Sequence, residues 1–332
     1  MSPPFQLPDV DCIVVNRDGG DALFDALRSL ELQAGIDLSI VLIDNDSEPA
    51  ERERIAREAR EVRVIPFSRN LGFAGAVNEG IVRTRAPFVL LLNNDAVLEP
   101  DYVAHLAARL ALDDRLAAVQ GVIRTSDGTR IDSAGLGWNP RREAVPLFGG
   151  DDPARLPGAV FEVGGVSATA TLYRRSALED VAVQGEVFEP SFFAYYEDAD
   201  LSLRLQRAGW RFACDPAATA RHEGSRTGRR TPWKRALWLA CNRWRTLFRN
   251  FDPRLVRRDF LRLLRADLAH ARTLGWRAPF LLLSVWPRLA WIAREPRGSA
   301  SGAARLTAWP PPAGENAHAA RPAGAEPDRL AG

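Results

Sequence analysis

With 332 residues, 46% of them hydrophobic, the chain has room for one large domain or two ordinary ones and a sizeable core. Its three cysteines, Cys12, Cys214 and Cys241, have no metal-like spacing, which excludes a disulfide framework or zinc knuckle and makes a reducing compartment the expectation. The net charge of +2 hides an asymmetry: Arg221 to Arg297 holds 19 Lys and Arg against 5 Asp and Glu, a local balance of +14 that leaves −12 for the rest.

Short apolar runs alternate with amphipathic stretches through the N-terminal half. In chain order the pattern predicts a strand at Cys12–Val15, a helix at Ala22–Leu32, a strand at Leu38–Ile43 and a helix at Ala50–Arg60. A strand at Val62–Ile65, a helix at Ala74–Arg83 and a strand at Phe88–Leu92 come next, then a helix from about Asp101 to Leu112 and a strand near Ala118–Ile123. This alternation is that of an α/β protein, a mostly parallel sheet covered on both faces. Such sheets hold ligands beyond the carboxyl ends of their strands. Three polar segments fall at those ends: Asn16-Arg17-Asp18, Asp44-Asn45-Asp46-Ser47 and Asn93-Asn94-Asp95.

From Thr125 to Gly158 the pattern dissolves into Gly, Pro, Asp and Arg, as in a long loop, a small hairpin or a lid. Val160 to Tyr173 is expected as a strand whose glycines, Gly164 and Gly165, let its backbone approach a neighbour closely. An aromatic run, Phe192-Phe193-Ala194-Tyr195-Tyr196, precedes the acidic cluster Glu197-Asp198-Ala199-Asp200. A helix at Ala199–Ala208, ended by Gly209, and a strand at Arg211–Asp215 follow, with His222 beyond. The chain divides into an α/β domain over 1–225, a basic Trp-rich helical extension over 226–297, and an Ala/Pro/Gly-rich tail over 298–332 expected to be disordered.

Six of the nine tryptophans lie in the basic extension. Trp233, Leu237, Cys241, Trp244 and Phe248 fall at helical spacing, and Leu255–Leu268 and Trp276–Ile292 repeat the mixture. Two readings stand: helices lying on an anionic membrane surface, or helices packed on the α/β domain with solvated arginines. No stretch reaches the roughly 18 apolar residues of a membrane span. Phe280–Ile292 is short and interrupted by Pro287 and Arg288, and Met1–Pro8 shows no secretion leader. No nucleic-acid-binding module accompanies the basic stretch, so no nucleic acid partner is expected.

Six stretches, in order, resemble family 2 glycosyltransferases of the bacterial rhamnosyltransferase-like group. They are Val14-Val15-Asn16-Arg17, Val41 to Ser47, Asn70-Leu71-Gly72-Phe73-Ala74-Gly75-Ala76-Val77-Asn78, Leu91 to Asp95, Glu197 to Leu201 with Arg204, and His222-Glu223-Gly224-Ser225. The resemblance implies a GT-A fold, a Rossmann-like nucleotide-binding sheet with helices on both faces. It also implies an inverting mechanism, a dTDP-, UDP- or GDP-linked sugar donor with dTDP-rhamnose as first guess, and a glycan or lipid-linked acceptor of cell-surface polysaccharide. The expected location is cytoplasmic, peripheral on the inner face of the cell membrane.

The resemblance also assigns roles. Asn16, Asp44, Asn70, Gly72, Asn78, Asn94 and Asp95 would bind the donor. The turn Asp44-Asn45-Asp46-Ser47 could equally cap the next helix. The amides at the start of the Gly72 helix favour anions. Asn93 stands where the family's Asp-x-Asp motif has its first acid, so Asp95, with His222 as a second ligand, would hold Mg²⁺ or Mn²⁺ together with the diphosphate. His222 could instead be a plain core or surface histidine. Asp198 would be the general base, supported by Glu197, Asp200 and Arg204. Tyr196 and Trp210 would serve as an acceptor platform or as core packing. Asn93 also supports a rival, a non-catalytic nucleotide-sugar-binding or scaffold subunit, against which the intact acidic cluster speaks.

Overall fold

The structure, a computed structural model, describes residues 7–139, 142–224, 232–272, 285, 288, 292 and 304–308. Strands β1 (Val10–Asn16), β2 (Leu38–Asn45), β3 (Arg63–Phe67) and β4 (Phe88–Asn93) alternate with helices α1 (Asp21–Glu31), α2 (Pro49–Glu58) and α3 (Gly72–Ile81). After β4 come β5 (Ala96–Leu98), α4 (Tyr102–Leu112), β6 (Leu116–Thr125) and β7 (Ile131–Ser133). The hairpin β8 (Leu136–Trp138) and β9 (Ala144–Pro146) then leads to β10 (Phe161–Val163), β11 (Ala170–Arg174) and α5 (Arg175–Asp180). Helix α6 (Glu197–Arg207), strand β12 (Arg211–His222) and helices α7 (Pro232–Asn250), α8 (Pro253–Arg258) and α9 (Phe260–Arg272) complete the described chain.

The main sheet runs β10-β12-β6-β11-β4-β1-β2-β3, with β5 beside β12 and β7 beside β6. The first four strands are parallel, as the alternation predicts. The rest is mixed: β11 runs antiparallel to both β4 and β6. The expected single strand over Val160–Tyr173 is two strands, and β12 is longer than expected, so His222 ends it rather than following it.

Period-2 alternation along each strand feeds two cores. Cys12, Val14, Leu42 and Leu90 face α1 and α4, while Ile13, Val41, Ile43 and Leu91 face α3, α5 and α6. The chain leaves β1 for β2 and β3 on one side and returns to β4 on the other. That reversal opens a crevice at the carboxyl ends of β1 and β4.

Thr125–Gly158 is more ordered than a loop: β7 joins the main sheet and β8–β9 forms a second, two-stranded one. The extension packs on the α/β domain. Leu203 of α6 and Trp138 share one cluster with Trp244, Leu247, Phe251, Leu255, Val256 and Leu263. Most of Trp276–Ile292 and of the tail lies outside the described residues. Residues 304–308, inside the stretch expected to be disordered, instead cover the end of α7. Leu306 N–H donates to the Asn250 carbonyl (3.0 Å) and its carbonyl accepts from Asp252 N–H (2.9 Å).

Candidate active site

Asn16, Asn45 and Asn93 end three adjacent strands, which brings the predicted polar segments together. Asn94 Nδ2 donates to Asn16 Oδ1 at 2.7 Å, and Asn16 Nδ2 reaches Ser47 Oγ at 3.4 Å and Glu51 Oε1 at 3.5 Å. Asn16 and Asp44 are fully buried, and Asp44 lies 3.0 Å from Arg52 Nε. Gly19 makes the packing of the two asparagines possible: a Cβ there would meet Asn16 Oδ1 at 2.4 Å and Asn94 Nδ2 at 2.7 Å. The doublet Gly19-Gly20 was its only signal in the sequence.

Asp95 follows β4 in a tight turn and is buried. Its Oδ1 lies 3.2 Å from His222 Nε2, and His222 Nδ1 lies 2.8 Å from Asp132 Oδ2. Burial pushes the imidazole pKa down, but hydrogen bonds to Asp132 and Asp95 outweigh it and raise the pKa to about 9. Asp132 comes from β7, in the segment that sequence resolved only as loop, hairpin or lid. Nothing in its local pattern marks it, because only the fold of β7 onto β6 brings it to His222. Among the described residues no group of three or more His, Cys, Asp or Glu side chains is arranged to hold a metal ion.

Asp198 sits in the first turn of α6, half-buried. It accepts from Ala199 N–H at 2.7 Å and from Ala168 N–H. Burial raises its carboxyl pKa, and these amides offset only part of the rise. Its neighbour Glu197 is also raised, to about 8, by burial and by the Asp198 charge. Glu197 Oε2 has no hydrogen-bond partner among the described residues. The segment before β11 joins the two halves of the site: Ala168 N–H holds Asp198, and Thr169 carbonyl accepts from Asn93 N–H at 2.8 Å. Thus Asp198 and the Asn93–Asp95 turn, about a hundred residues apart, flank one backbone segment. The neighbour that the glycines of this segment approach is α6: a Cβ at Gly165 would lie 2.8 Å from Ser202 Cβ.

Several expected site residues do other work. Asp200 is fully buried and turned toward α7, where Arg204 Nε (2.8 Å), Asn250 Nδ2 (2.7 Å) and Arg249 Nε (3.4 Å) surround it. Burial pushes its pKa up, but the Arg204 and Arg249 charges outweigh that and hold it low. Arg204 also donates to the carbonyls of Val181 and Val187, so it braces α6 rather than reaching Asp198. Asn78 exchanges two hydrogen bonds with the Phe188 backbone, at 2.7 and 2.9 Å.

The amides expected to favour an anion are occupied as well. Leu71 N–H donates to Asn45 Oδ1, Gly72 N–H to Asn70 Oδ1, and Phe73 and Ala74 N–H to the Phe193 carbonyl. Gly72, at φ +73°, is where that loop approaches: a Cβ would lie 2.5 Å from Phe193 O. Gly72 and Asn78 therefore hold the loop before α6, while Asn70 Oδ1 braces the start of α3 through Gly72 N–H and accepts from Asn45 Nδ2. Trp210 lies past the far end of α6, whose last residue, Arg207, is about 14 Å along the helix from Asp198 at 1.5 Å per residue, and donates to Asp180. Tyr196 takes a left-handed conformation (φ 69°), and its hydroxyl accepts from Ala144 N–H in a buried setting.

Three of the four arginines of α7 are not solvated, whereas Arg235 is exposed. Arg243, Arg245 and Arg249 are buried. Arg243 pairs with Asp267 (2.6 Å), Arg249 pairs with Glu189 (2.8 Å), and Arg245 donates to Asn242. Asn242, which sequence did not single out, donates to the carbonyls of Phe192, Ala194 and Tyr195.

The sequence pattern of the family described as Glycosyl transferase family 2 matches residues 11–182. The chain is 27% identical over 246 residues to "N-acetylglucosaminyl-diphospho-decaprenol L-rhamnosyltransferase" of Mycobacterium tuberculosis (strain ATCC 25618 / H37Rv), covering 66% of this chain and 78% of that protein. It is 30% identical over 160 residues to the succinoglycan biosynthesis protein ExoO of Rhizobium meliloti (strain 1021), covering 47% of this chain and 42% of that one. Among solved structures, the mannosyltransferase PcManGT from Pyrobaculum calidifontis in complex with GDP-Man and Mn²⁺ superposes with a TM-score of 0.55 at 17% identity, over 89% of this chain and 77% of that one. GalNAc-T7 with UDP, GalNAc and Mn²⁺ superposes at 0.52 and 16% identity, over 65% of this chain and 43% of that one. With its GT-A fold, the chain belongs to glycosyl transferase family 2 and is a glycosyltransferase.

Proposed function

We propose that the protein is an inverting, metal-dependent transferase that moves a deoxyhexose, rhamnose first among the candidates, from a nucleotide-diphosphate donor to a glycan or lipid-linked acceptor in cell-surface polysaccharide synthesis. The observation that carries this reading is the placement of Asp198 and the Asn93–Asp95 turn on either side of residues 168–169. It lets one acid work on the acceptor while the other serves the donor's diphosphate. Asp198 takes the acceptor hydroxyl's proton as its oxygen bonds to the sugar carbon. The bond to the diphosphate breaks with its electron pair on the leaving oxygen. A carboxyl whose pKa is raised by burial is a stronger base for this step. Asn16, Asp44, Asn94 and Asp95 form the donor side. The relatives' names support rhamnose and surface polysaccharide.

The donor set fits a divalent cation. Asp95 and the Nε2 of His222 stand together, and Asp132 accepts from Nδ1–H, the outer contact that turns Nε2 toward a metal. Two protein ligands suit Mn²⁺ or Mg²⁺ when diphosphate oxygens and water supply the rest. When bound, the cation would neutralise charge gathering on the diphosphate.

The enzyme would work peripherally at the inner face of the cell membrane, docked by α8 and α9. No described helix is long and apolar enough to cross a membrane. Arg254, Arg257, Arg258, Arg262 and Arg265 are exposed on these two helices beside Leu261 (67% exposed) and Leu268 (38%). Asp267 points inward to Arg243 and Trp244. An arginine stripe with protruding leucines fits anionic headgroups over an acyl boundary.

The test is a panel of nucleotide sugars, including dTDP-rhamnose, assayed for binding and slow hydrolysis with and without Mn²⁺. One donor should bind only with metal, and Asp198→Asn should keep that binding while losing at least about 100-fold in turnover. Full turnover by Asp198→Asn would overturn the base assignment, and unchanged donor affinity in Asp95→Ala would overturn the metal assignment. For the membrane face, wild-type protein should sediment with phosphatidylglycerol-containing vesicles and Leu261→Asp/Arg262→Glu should not. Equal sedimentation would remove that role.

A further inference from the structure

The loop between the 3₁₀ turn at Pro190–Phe192 and the start of α6 is strained. Phe193 sits at φ 61°, ψ −59°, and Ala194 N–H donates to the Phe192 carbonyl at 2.7 Å. This is the γ-turn geometry that L-residues avoid. Tyr195 and Tyr196 follow, both at φ 69°. Such backbone persists only where its surroundings over-determine it.

Those surroundings come from two places. On the donor side, the start of α3 holds the Phe193 carbonyl, and Asn78 holds Phe188. On the other side, the single amide nitrogen of Asn242 meets the carbonyls of Phe192, Ala194 and Tyr195 at 2.8, 2.9 and 2.9 Å. Asn242 is buried, and Arg245 donates to its Oδ1, which fixes which end of the amide faces the loop. The Arg245 guanidinium also lies 5.5 Å from the Phe192 ring centre, and Trp238 stacks on Phe193 at 5.1 Å. The loop ends two residues before Asp198.

We infer that Asn242, oriented by Arg245, is a positioning residue for sugar transfer: it holds the 192–196 loop in the one conformation that aims the first turn of α6 at the donor. The inference rests on Asp198 as the base. It makes the C-terminal helix part of the catalytic apparatus without a contact to substrate. Misplacing a catalytic group by about 1 Å can cost about 100-fold in rate, so the effect belongs in kcat.

The experiment compares Asn242→Asp with wild type and with Asp198→Asn, using whichever nucleotide sugar the wild-type enzyme hydrolyses. Aspartate keeps the shape of asparagine but turns acceptor oxygens toward three carbonyls. Turnover should fall about 100-fold, while donor Kd stays within about twofold and the folded fraction is retained. Turnover within about twofold of wild type overturns the proposal, as does a loss no larger than the loss of folded protein. If Asn242→Asp does not fold, Arg245→Gln, which frees the amide to rotate, should lose at least about tenfold in kcat alone. Unchanged kcat in that variant overturns the proposal equally. An inactive Asp198→Asn beside a fully active Asn242→Asp would remove the clamp and leave the base standing. A fully active Asp198→Asn would remove the base itself.

Discussion

At the carboxyl ends of β1, β2 and β4, buried polar groups find partners within a few residues of neighbouring strand ends: Asn16 with Asn94 and Ser47, Asp44 with Arg52. Around α7, buried polar groups find partners from distant parts of the chain. Asp200 of α6 meets Asn250 of α7, Asn242 meets the 192–195 loop, and Arg243 meets Asp267 of α9. The first arrangement follows from parallel strands in register, so it survives anywhere such a sheet forms. The second exists only when separate elements dock. The proposed donor side is thus a property of the sheet, and the geometry of the proposed base a property of packing between α6, its preceding loop and α7.

Asp200→Ala would strain this contrast most. It leaves Arg204 buried without its carboxylate, and breaking one side of a buried ion pair costs about 3–5 kcal/mol. Denaturant unfolding should register that loss, while Asn16→Ala on the donor side should cost less. Equal costs would erase the distinction. Gly72→Ala comes next. It places a Cβ 2.5 Å from Phe193 O at a φ that disfavours side chains, and should cost at least about 2 kcal/mol. A stability unchanged by this substitution would mean the loop does not rest on α3.

Glu197 offers a titration. Its pKa is raised from 4.5 to about 8 in the folded chain, so between those values the folded state holds a proton that the unfolded chain releases. Its contribution to stability is complete below pH 4.5 and is lost as pH rises through about 8. Glu197→Gln should therefore gain about 3 kcal/mol relative to wild type between pH 5 and pH 8. Parallel stability curves for the two proteins would show that Glu197 is not held protonated. The smallest effect is expected on the exposed face of α9. Arg262→Glu should change stability by less than about 0.5 kcal/mol, and a larger loss would place Arg262 among the packed arginines of α7.

The donor side was legible because strand periodicity needs only neighbours in sequence. The runs at Val14, Leu42 and Leu91 mark buried strands, and their polar ends, Asn16, Asp44 and Asn94, converge by register alone. Helix boundaries came within a residue or two for α1 and α4. Asp132 was illegible because no local pattern ties β7 to His222. Sequence left the surroundings of the α7 arginines open because a charged residue beside an apolar stripe looks the same whether water or another helix covers it; Arg243, Arg245 and Arg249 are packed and Arg235 is exposed. Asn242, Arg245 and Arg249 do fall at i, i+3 and i+7, a polar stripe next to Cys241, Trp244 and Phe248. That spacing hinted at a polar docking face.

By itself the sequence determined the α/β alternation, the family and the polar strand ends that converge, because strand period and ordered motifs are properties of neighbouring residues. Only the tertiary structure decided that Asp198 and Asp200, two residues apart on one helix, part company. One faces the crevice and the other is buried under α7, because two residues along a helix is a rotation of about 200°, and what lies on each side is set by packing across the whole chain.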